Sequence, residues 1–255
     1  MLLAGLPAPL RIRARTRGGL TWGPSGWSVY SDVEQPAMAG SRDWYRKTTW
    51  TNDDAEDFFA HLERSRADTN RAQYLKIQAR TLKEAGDVQA ALDLLDIAIE
   101  KFPNRETAQI RLLRAECLWA LGLHDEALDA YRSAFQAQRE QRNIHCNVAL
   151  SFAEAFHDVD NGLYRVELLD LLREEVAELG AFPFQLLEFR YSLTFARLLA
   201  GVGEMRRAAK WAERALAAKR AETSALPHHS ALAVANAVEE QTEIWLRQIA
   251  AWGDE

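Results

Sequence analysis

Apolar residues recur along most of the chain at the three- and four-residue spacing of amphipathic α-helices. Phe58, Phe59 and Leu62 form such a stripe in a helix predicted over about 53–66. Thr51 and the acidic residues after it supply the polar N-terminus that a helix at this point requires. Stripes of this kind continue toward the C-terminus and predict about ten helices and no strands. The hydrophobic pattern therefore predicts an all-α fold.

Three segments repeat one signature, a glycine followed five residues later by an alanine and twelve residues later by another alanine. Each signature lies at the turn of a predicted helical hairpin: Gly86/Ala91/Ala98, Gly122/Ala127/Ala134 and Gly203/Ala208/Ala215. The first two glycines are 36 residues apart and the third lies 81 residues further on, which leaves room for one degenerate copy. Repetition at this period predicts an array of stacked helical hairpins.

The segment 72–105 is 34 residues long and resembles the tetratricopeptide repeat (TPR). Gly86 stands at the family's turn, where a positive φ is needed, and Pro103 stands where the repeat ends. Ala91 and Ala98 stand at its small positions on the second helix, where larger side chains would overpack the helix crossing. The resemblance implies a right-handed α-solenoid of TPR-like hairpins with capping helices at both ends.

The other repeat units match this pattern to different degrees. The unit over 108–140 keeps the glycine and alanine positions but lacks the final proline, so its second helix is expected to run on. The unit over 141–179 is a hairpin with poor agreement, since Arg165 falls near an expected small position. The unit over 189–221 agrees again. We therefore expect four hairpins, of which the third is degenerate.

The chain divides into four predicted parts. These are a disordered tail or an overcalled start at 1–40, an N-terminal cap at 41–68, the array at 69–226 and a C-terminal capping helix at 227–255. Met38, just before the first structured-looking residues, is the alternative start. Pro227 is expected to open the last helix, in which Ile244, Trp245, Ile249 and Trp252 recur at helical spacing.

Charge and composition narrow the class of partner. The net charge is −6 and no Lys/Arg cluster extends along a predicted helix face, which disfavours nucleic acid and leaves RNA-reading helical repeats as a weak alternative. No stretch approaches the roughly 18 apolar residues of a membrane span, so no membrane partner is expected. Cys117 and Cys146 lie in predicted apolar helical runs, which suits reduced thiols in a cytoplasmic protein.

Motifs for chemistry are missing from the sequence. The six histidines show no metal-site spacing, and no phosphate-binding loop or nucleophile elbow occurs, so we expect no cofactor, no metal and no enzymatic activity. The acid pairs Glu174-Glu175 and Glu239-Glu240 are predicted to be solvated. A catalytic alternative would use the divergent unit around Asn147, Glu154 and His157.

The family's inner surface is lined by the second, fifth, ninth and twelfth positions of each first helix. Transferred to this chain, the resemblance implies these partner-binding residues: Gln73, Lys76, Arg80, Lys83, Glu116, Trp119, Arg190 and Arg197. Lys76 and Arg80 share one helix face, and Trp119 lies between two groups of cations, which suits an acidic peptide with an apolar anchor. The alternative is that these cations are merely solvated. Some members of the family bind the C-terminal carboxylate of a partner through a clamp of lysine, asparagine and arginine side chains. Arg80 and Leu113 stand where this clamp needs asparagines, which argues against such a clamp here.

The expected function is a non-catalytic scaffold or adaptor that binds a partner protein or peptide, with a chaperone-like role also open. The alternative from another class is a regulatory sensor of a small ligand or signalling peptide. Partner identity, pathway and oligomeric state have no signal in the sequence.

Overall fold

The structure, a computed structural model, describes residues 43–103, 107–141, 145–220 and 239–253. Within these ranges it contains ten α-helices and no strand, which confirms the all-α prediction. The helices are α1 (Asn52–Arg64), α2 (Asp68–Ala85), α3 (Val88–Lys101), α4 (Thr107–Ala120), α5 (His124–Glu140), α6 (Val148–Phe156), α7 (Arg165–Leu179), α8 (Gln185–Gly201), α9 (Met205–Arg220) and α10 (Glu240–Ala250). The predicted tail at 1–40 and the helix start at Pro227 lie outside the described residues.

The helices pack in chain order as a row of hairpins. The pairs α2/α3, α4/α5 and α8/α9 make the most extensive contacts, and α6/α7 forms the third, shorter hairpin. Each second helix also packs on the first helix of the next hairpin, while α2 contacts α4 and α6 contacts α8. This arrangement is the predicted helical solenoid; its right-handed sense stays a prediction.

Glycine ends the first helix in all three well-matched hairpins. Gly86, Gly122 and Gly203 have φ of 95°, 77° and 82°. After Gly86, the N–H of Asp87 donates to the carbonyl of Leu82 at 2.9 Å, a Schellman cap that recurs at the other two turns. No atom beyond the chain neighbours lies within 4 Å of a Cβ placed on these glycines, so the backbone conformation alone requires them.

The small positions of the repeat signature are fully enclosed. All six signature alanines have no exposed surface: Ala91, Ala98, Ala127, Ala134, Ala208 and Ala215. They belong to one hydrophobic core that runs from Phe58 in α1 to Ile249 in α10. The sequence signature therefore marks fully enclosed positions of the packed second helices, where a larger side chain has no free space.

Aromatic residues before and within α1 pack on the first hairpin. The Trp44 ring stacks on His61 with centroids 5.2 Å apart and lies 5.3 Å from the Phe58 ring and 4.8 Å from the Tyr74 ring of α2. These contacts support the cap role predicted for residues 41–68, which stays a prediction.

Glu175 corrects the expectation that the Glu174-Glu175 pair is solvated, because Glu175 is only 2% exposed. Its carboxylate accepts hydrogen bonds from the amides of Ala149 (3.2 Å) and Leu150 (3.1 Å) and from the hydroxyl of Tyr191 (2.6 Å). The side-chain amide of Gln138 donates a fourth at 2.8 Å. A carboxylate from α7 thus caps the N-terminus of α6.

Cys146 also departs from prediction, since it lies in the residues before α6 rather than in a helix. Asn147 has a left-handed conformation, with φ of 55°, so the helix begins at Val148. The amide of Cys146 donates instead to the side-chain oxygen of Gln138 at 2.9 Å.

Arg165 explains the poor motif agreement of the third hairpin. Its guanidinium donates to the carbonyls of His157 (3.1 Å) and Gly201 (3.0 Å) and to the carboxylate of Asp158 (3.2 Å). A Cβ on Gly162 or Gly201 would approach this side chain to 2.3 and 2.6 Å. An arginine lying over two glycines therefore joins α6, α7 and α8 where other units have a small residue.

The last helices correct two further expectations. The prediction that no Lys/Arg cluster follows a helix face is wrong. The exposed face of α9 carries a row of five cations: Arg206, Arg207, Lys210, Arg214 and Arg220. In α10, Leu246 and Ile249 are buried, whereas Ile244 is 42% exposed. Trp252 lies in the turn after this helix and is 46% exposed.

Candidate binding groove

The first helices of the hairpins, α2, α4, α6 and α8, form one row of the solenoid. We call the surface of this row that carries the predicted binding residues the inner face. Gln73, Lys76, Arg80 and Lys83 lie on α2, Glu116 and Trp119 lie on α4, and Arg190 and Arg197 lie on α8.

The inner-face residues of α2 and α4 contact each other in a regular register. The Lys83 ammonium lies 2.8 Å from a Glu116 carboxylate oxygen, and the two side chains are only 12% and 9% exposed. The Lys76 ammonium donates to the Gln109 side-chain oxygen at 2.5 Å. Both pairs join residues 33 positions apart, so each cation of one repeat reaches the equivalent helix of the next.

At the other end of the inner face, Arg190 of α8 forms a two-bond pair with Glu154 of α6. The guanidinium-to-carboxylate distances are 2.9 and 2.6 Å, and the side chains are 17% and 9% exposed. Burial alone would lower the pKa of Arg190, but the charge and hydrogen bonds of Glu154 outweigh it and raise this pKa. Sequence reasoning placed Glu154 in a catalytic alternative, although its 36-residue offset from Arg190 is a signal of repeat-to-repeat pairing.

Arg197 lies further along α8 and is half-buried. Burial lowers its pKa, and the negative charges of Glu154, Asp158 and Glu239 partly offset this effect. Burial also lowers the pKa of His157, and the positive charge of Arg197 lowers it further. This end of the inner face therefore holds charged groups in a partly desolvated setting.

The trio of the catalytic alternative is tied into structural contacts. The side-chain oxygen of Asn147 lies 3.3 Å from the hydroxyl oxygen of Tyr191, and Glu154 pairs with Arg190. A ring nitrogen of His157 lies 3.1 Å from the carbonyl oxygen of Glu154. Each of the three thus has a packing or pairing role at the junction of α6 and α8.

Trp119 supplies the aromatic surface between the two groups of cations. Its ring stacks on His124 at 4.4 Å and lies 4.6 Å from the Phe156 ring, and the side chain is half-buried. The neighbouring Cys117 is buried, which raises the pKa of its thiol to about 12 and keeps it protonated. A half-buried tryptophan held by two rings offers its remaining accessible surface as a preorganised apolar contact.

The α2 end of the inner face is its open cationic end. Gln73 and Arg80 are exposed, and no described carboxylate lies within 4.0 Å of the Arg80 guanidinium. Lys83 and Arg190, by contrast, are neutralised by Glu116 and Glu154. The structure thus forms two ion pairs on the inner face. In the row of first helices, α4 and α6 lie between the cations of α2 and those of α8.

Two negative findings apply to the described ranges. Within 43–103, 107–141, 145–220 and 239–253, no group of three or more His, Cys, Asp or Glu residues is placed to hold a metal ion. In the same ranges, every helix is too short or too polar to cross a bilayer.

The tetratricopeptide repeat family matches residues 78–141. The match begins within α2 and ends just after α5, so it includes the glycine turns at Gly86 and Gly122 and the pair formed by Lys83 and Glu116. Comparison with curated proteins and with solved structures found no match. The predicted resemblance to this family is thus confirmed for residues 78–141.

Proposed function

We propose that this protein is a non-catalytic scaffold or adaptor whose inner face binds an acidic segment of a partner protein through cations and an apolar anchor site. Repeats of this family generally mediate contacts between proteins. The observation that carries the proposal is the unequal charge pairing of α2: Lys83 is neutralised by Glu116, whereas Arg80 is exposed beside Lys76 without a described carboxylate partner.

The proposed contacts are of two kinds, charged contacts and one apolar contact. Lys76 and Arg80 lie four residues apart on one helix face, a spacing that lets both reach one acidic segment. Trp119 is half-buried, and an apolar side chain of the partner would cover the part of its ring that stays accessible. The charges set orientation and on-rate, while the ring contributes most of the affinity.

A peptide-display selection on the full chain tests this proposal. We expect acidic peptides with one large apolar residue to be enriched. The double variant Lys76→Glu with Arg80→Glu should bind the selected peptides with an affinity lower by at least about tenfold, because two attractions become repulsions. The matched control reverses two exposed cations away from the inner face, Arg66→Glu with Arg173→Glu, and should bind as the unmodified chain does.

Two results would contradict the proposal. Equal affinity of the inner-face variant and the control would place the binding surface elsewhere. A selection without acidic peptides, together with a small molecule that raises the melting temperature, would favour the sensor function instead.

The proposal places the protein in the cytoplasm. No disulfide joins the two cysteines, of which Cys117 is buried and Cys146 is half-buried. Cysteines that form no disulfide support a reducing compartment. Localisation of a tagged chain by fluorescence microscopy would test this part.

A further inference from the structure

The outer face of α9 is the most basic helix surface in the described ranges. The helix carries six cations against the single carboxylate of Glu213. Arg207 pairs with Glu204 and Arg214 pairs with Glu188, but Arg206 and Lys210 have no ion-pair partner among the described residues. These cations lie opposite the buried alanines of α9 and point to solvent. We call this surface, formed by Arg206, Arg207, Lys210, Arg214 and Arg220, the basic face.

The outer face of α1 has the opposite charge. This helix carries five carboxylates against one arginine, and most of the carboxylates are exposed. Lys47 lies within 4 Å of Asp54 and Asp57, whereas Asp53, Glu56 and Glu63 have no ion-pair partner among the described residues. We call the surface formed by Asp53, Glu56, Asp57 and Glu63 the acidic face.

The two faces match in length and are not paired with each other in the described residues of one copy. α1 has 13 residues and α9 has 16, which correspond to about 20 and 24 Å at the helical rise per residue. Among the described residues, α9 packs on α8 and α10, and no ion pair joins α9 to α1. The charges of the two faces are therefore not paired with each other within one copy and are available to a second copy.

We propose that the basic face of α9 binds the acidic face of α1 on a second copy of this chain, head to tail. Such a contact uses two different surfaces, so it leaves one acidic and one basic face free at the ends and permits further copies to add. The inference goes beyond the proposed function, since neither face contains a residue of the inner face.

The charges at this contact are exposed, which fixes its expected strength and salt dependence. Exposed ion pairs are individually weak and are screened by salt. The association is therefore weak, forms at low ionic strength and is lost at high ionic strength.

Sedimentation equilibrium of the full chain tests the contact. At about 0.01 M salt, where charges act over about 30 Å, the average mass should rise above the monomer mass of 28.9 kDa with increasing concentration. At about 1 M salt, where the range falls to about 3 Å, it should return to the monomer mass.

Charge-reversal variants identify the surfaces. Arg206→Glu with Lys210→Glu, and separately Glu56→Lys with Glu63→Lys, should each be monomeric at low salt, because each has lost one of its two faces. Mixed in equal amounts, they should form a one-to-one complex, because each supplies the face that the other has lost. Arg66→Glu with Arg173→Glu, which alters neither face, should associate as the unmodified chain does. Circular dichroism verifies that every variant is folded.

Three outcomes would overturn the proposal: a monomer at low salt, association that survives reversal of either face, or a mixture that stays monomeric. Binding of single-stranded RNA that is lost only in the α9 variant, without self-association, would assign the basic face to nucleic acid. The acidic-peptide assay with the inner-face variant reads the proposed function separately, so the two can fail independently.

Discussion

At the scale of single residues, Glu175 is the hydrogen-bond acceptor that connects α6, α7 and α8. It stands in a hairpin that has lost most of the repeat signature, yet it holds the start of α6 and the hydroxyl of Tyr191 in α8 at once. A buried carboxylate is stable only when its oxygens are fully hydrogen-bonded, and four donors meet that need here. The divergent unit therefore keeps its place in the array through a polar junction.

Glu175→Ala tests this role. The change leaves buried donors of α6, Gln138 and Tyr191 without an acceptor, and we expect the free energy of unfolding to fall by about 3 kcal/mol or more. The neighbouring Glu174→Ala is the matched control. Glu174 pairs with Arg139 at the surface, where such pairs contribute about 0–1 kcal/mol. Urea titration measures both, and equal losses would show that Glu175 is not the junction.

At the scale of elements, the hairpins could be predicted because their signals are local. A positive φ at Gly86 and the small volume of Ala91 are requirements within one hairpin, and both are visible in the sequence. The start of α1 was predicted for the same reason, since Thr51 accepts from the amide of Asp54 and Asp54 accepts from the amide of Thr51.

Contacts between elements were harder to predict because periodicity tells which residues share a face but not what packs against that face. Glu174 and Glu175 are adjacent, and one helical step of about 100° turns one toward Arg139 and the other into the junction. The partner-binding residues of the inner face, taken from the resemblance to the repeat family, stay a prediction. Glu154 was missed as the partner of Arg190, since α6 belongs to the unit whose register was least clear.

The capping box of α1 gives stability a defined pH dependence. Hydrogen bonds from the amide and hydroxyl of Thr51 lower the pKa of Asp54 from 3.8 to about 2. Because the folded pKa is below the unfolded one, this contribution is fully present above about pH 4 and is lost as the pH falls toward 2. We expect Asp54→Asn to reduce stability above pH 4, with the difference from the unmodified chain shrinking at lower pH.

Thermal unfolding of the full chain between pH 2 and pH 6 follows this difference. Asp53→Asn is the control, because Asp53 is exposed, lies in the same first turn and makes no capping contact. A difference that is constant with pH for Asp54→Asn would show that its carboxylate does not act through ionisation.

At the scale of the whole molecule, neighbouring hairpins are joined by charged pairs that lie about one repeat apart in sequence. Two of these joints, Arg132 with Glu167 and Arg139 with Glu174, are on the exposed side of α5 and α7. The joints on the inner face, such as Arg190 with Glu154, are largely buried. Since each repeat in an array contacts only its neighbours, the buried joints determine whether the array unfolds as one unit.

The pair of Arg190 and Glu154 joins the divergent third hairpin to the last one. We expect its loss to let the last hairpin open separately from the rest of the array. Arg190→Met leaves a buried carboxylate without its main partner, and we expect a loss of about 3–5 kcal/mol. Amides of α8 and α9 should then exchange with deuterium faster than those of α2 to α5, because opening is local to the C-terminal side.

Met at both positions should restore most of the stability, since the double change removes both charges and keeps the volume. Arg132→Met, at an exposed joint, should cost about 0–1 kcal/mol. Additive losses in the double variant would mean that packing of the two side chains, rather than their mutual charge, holds the joint.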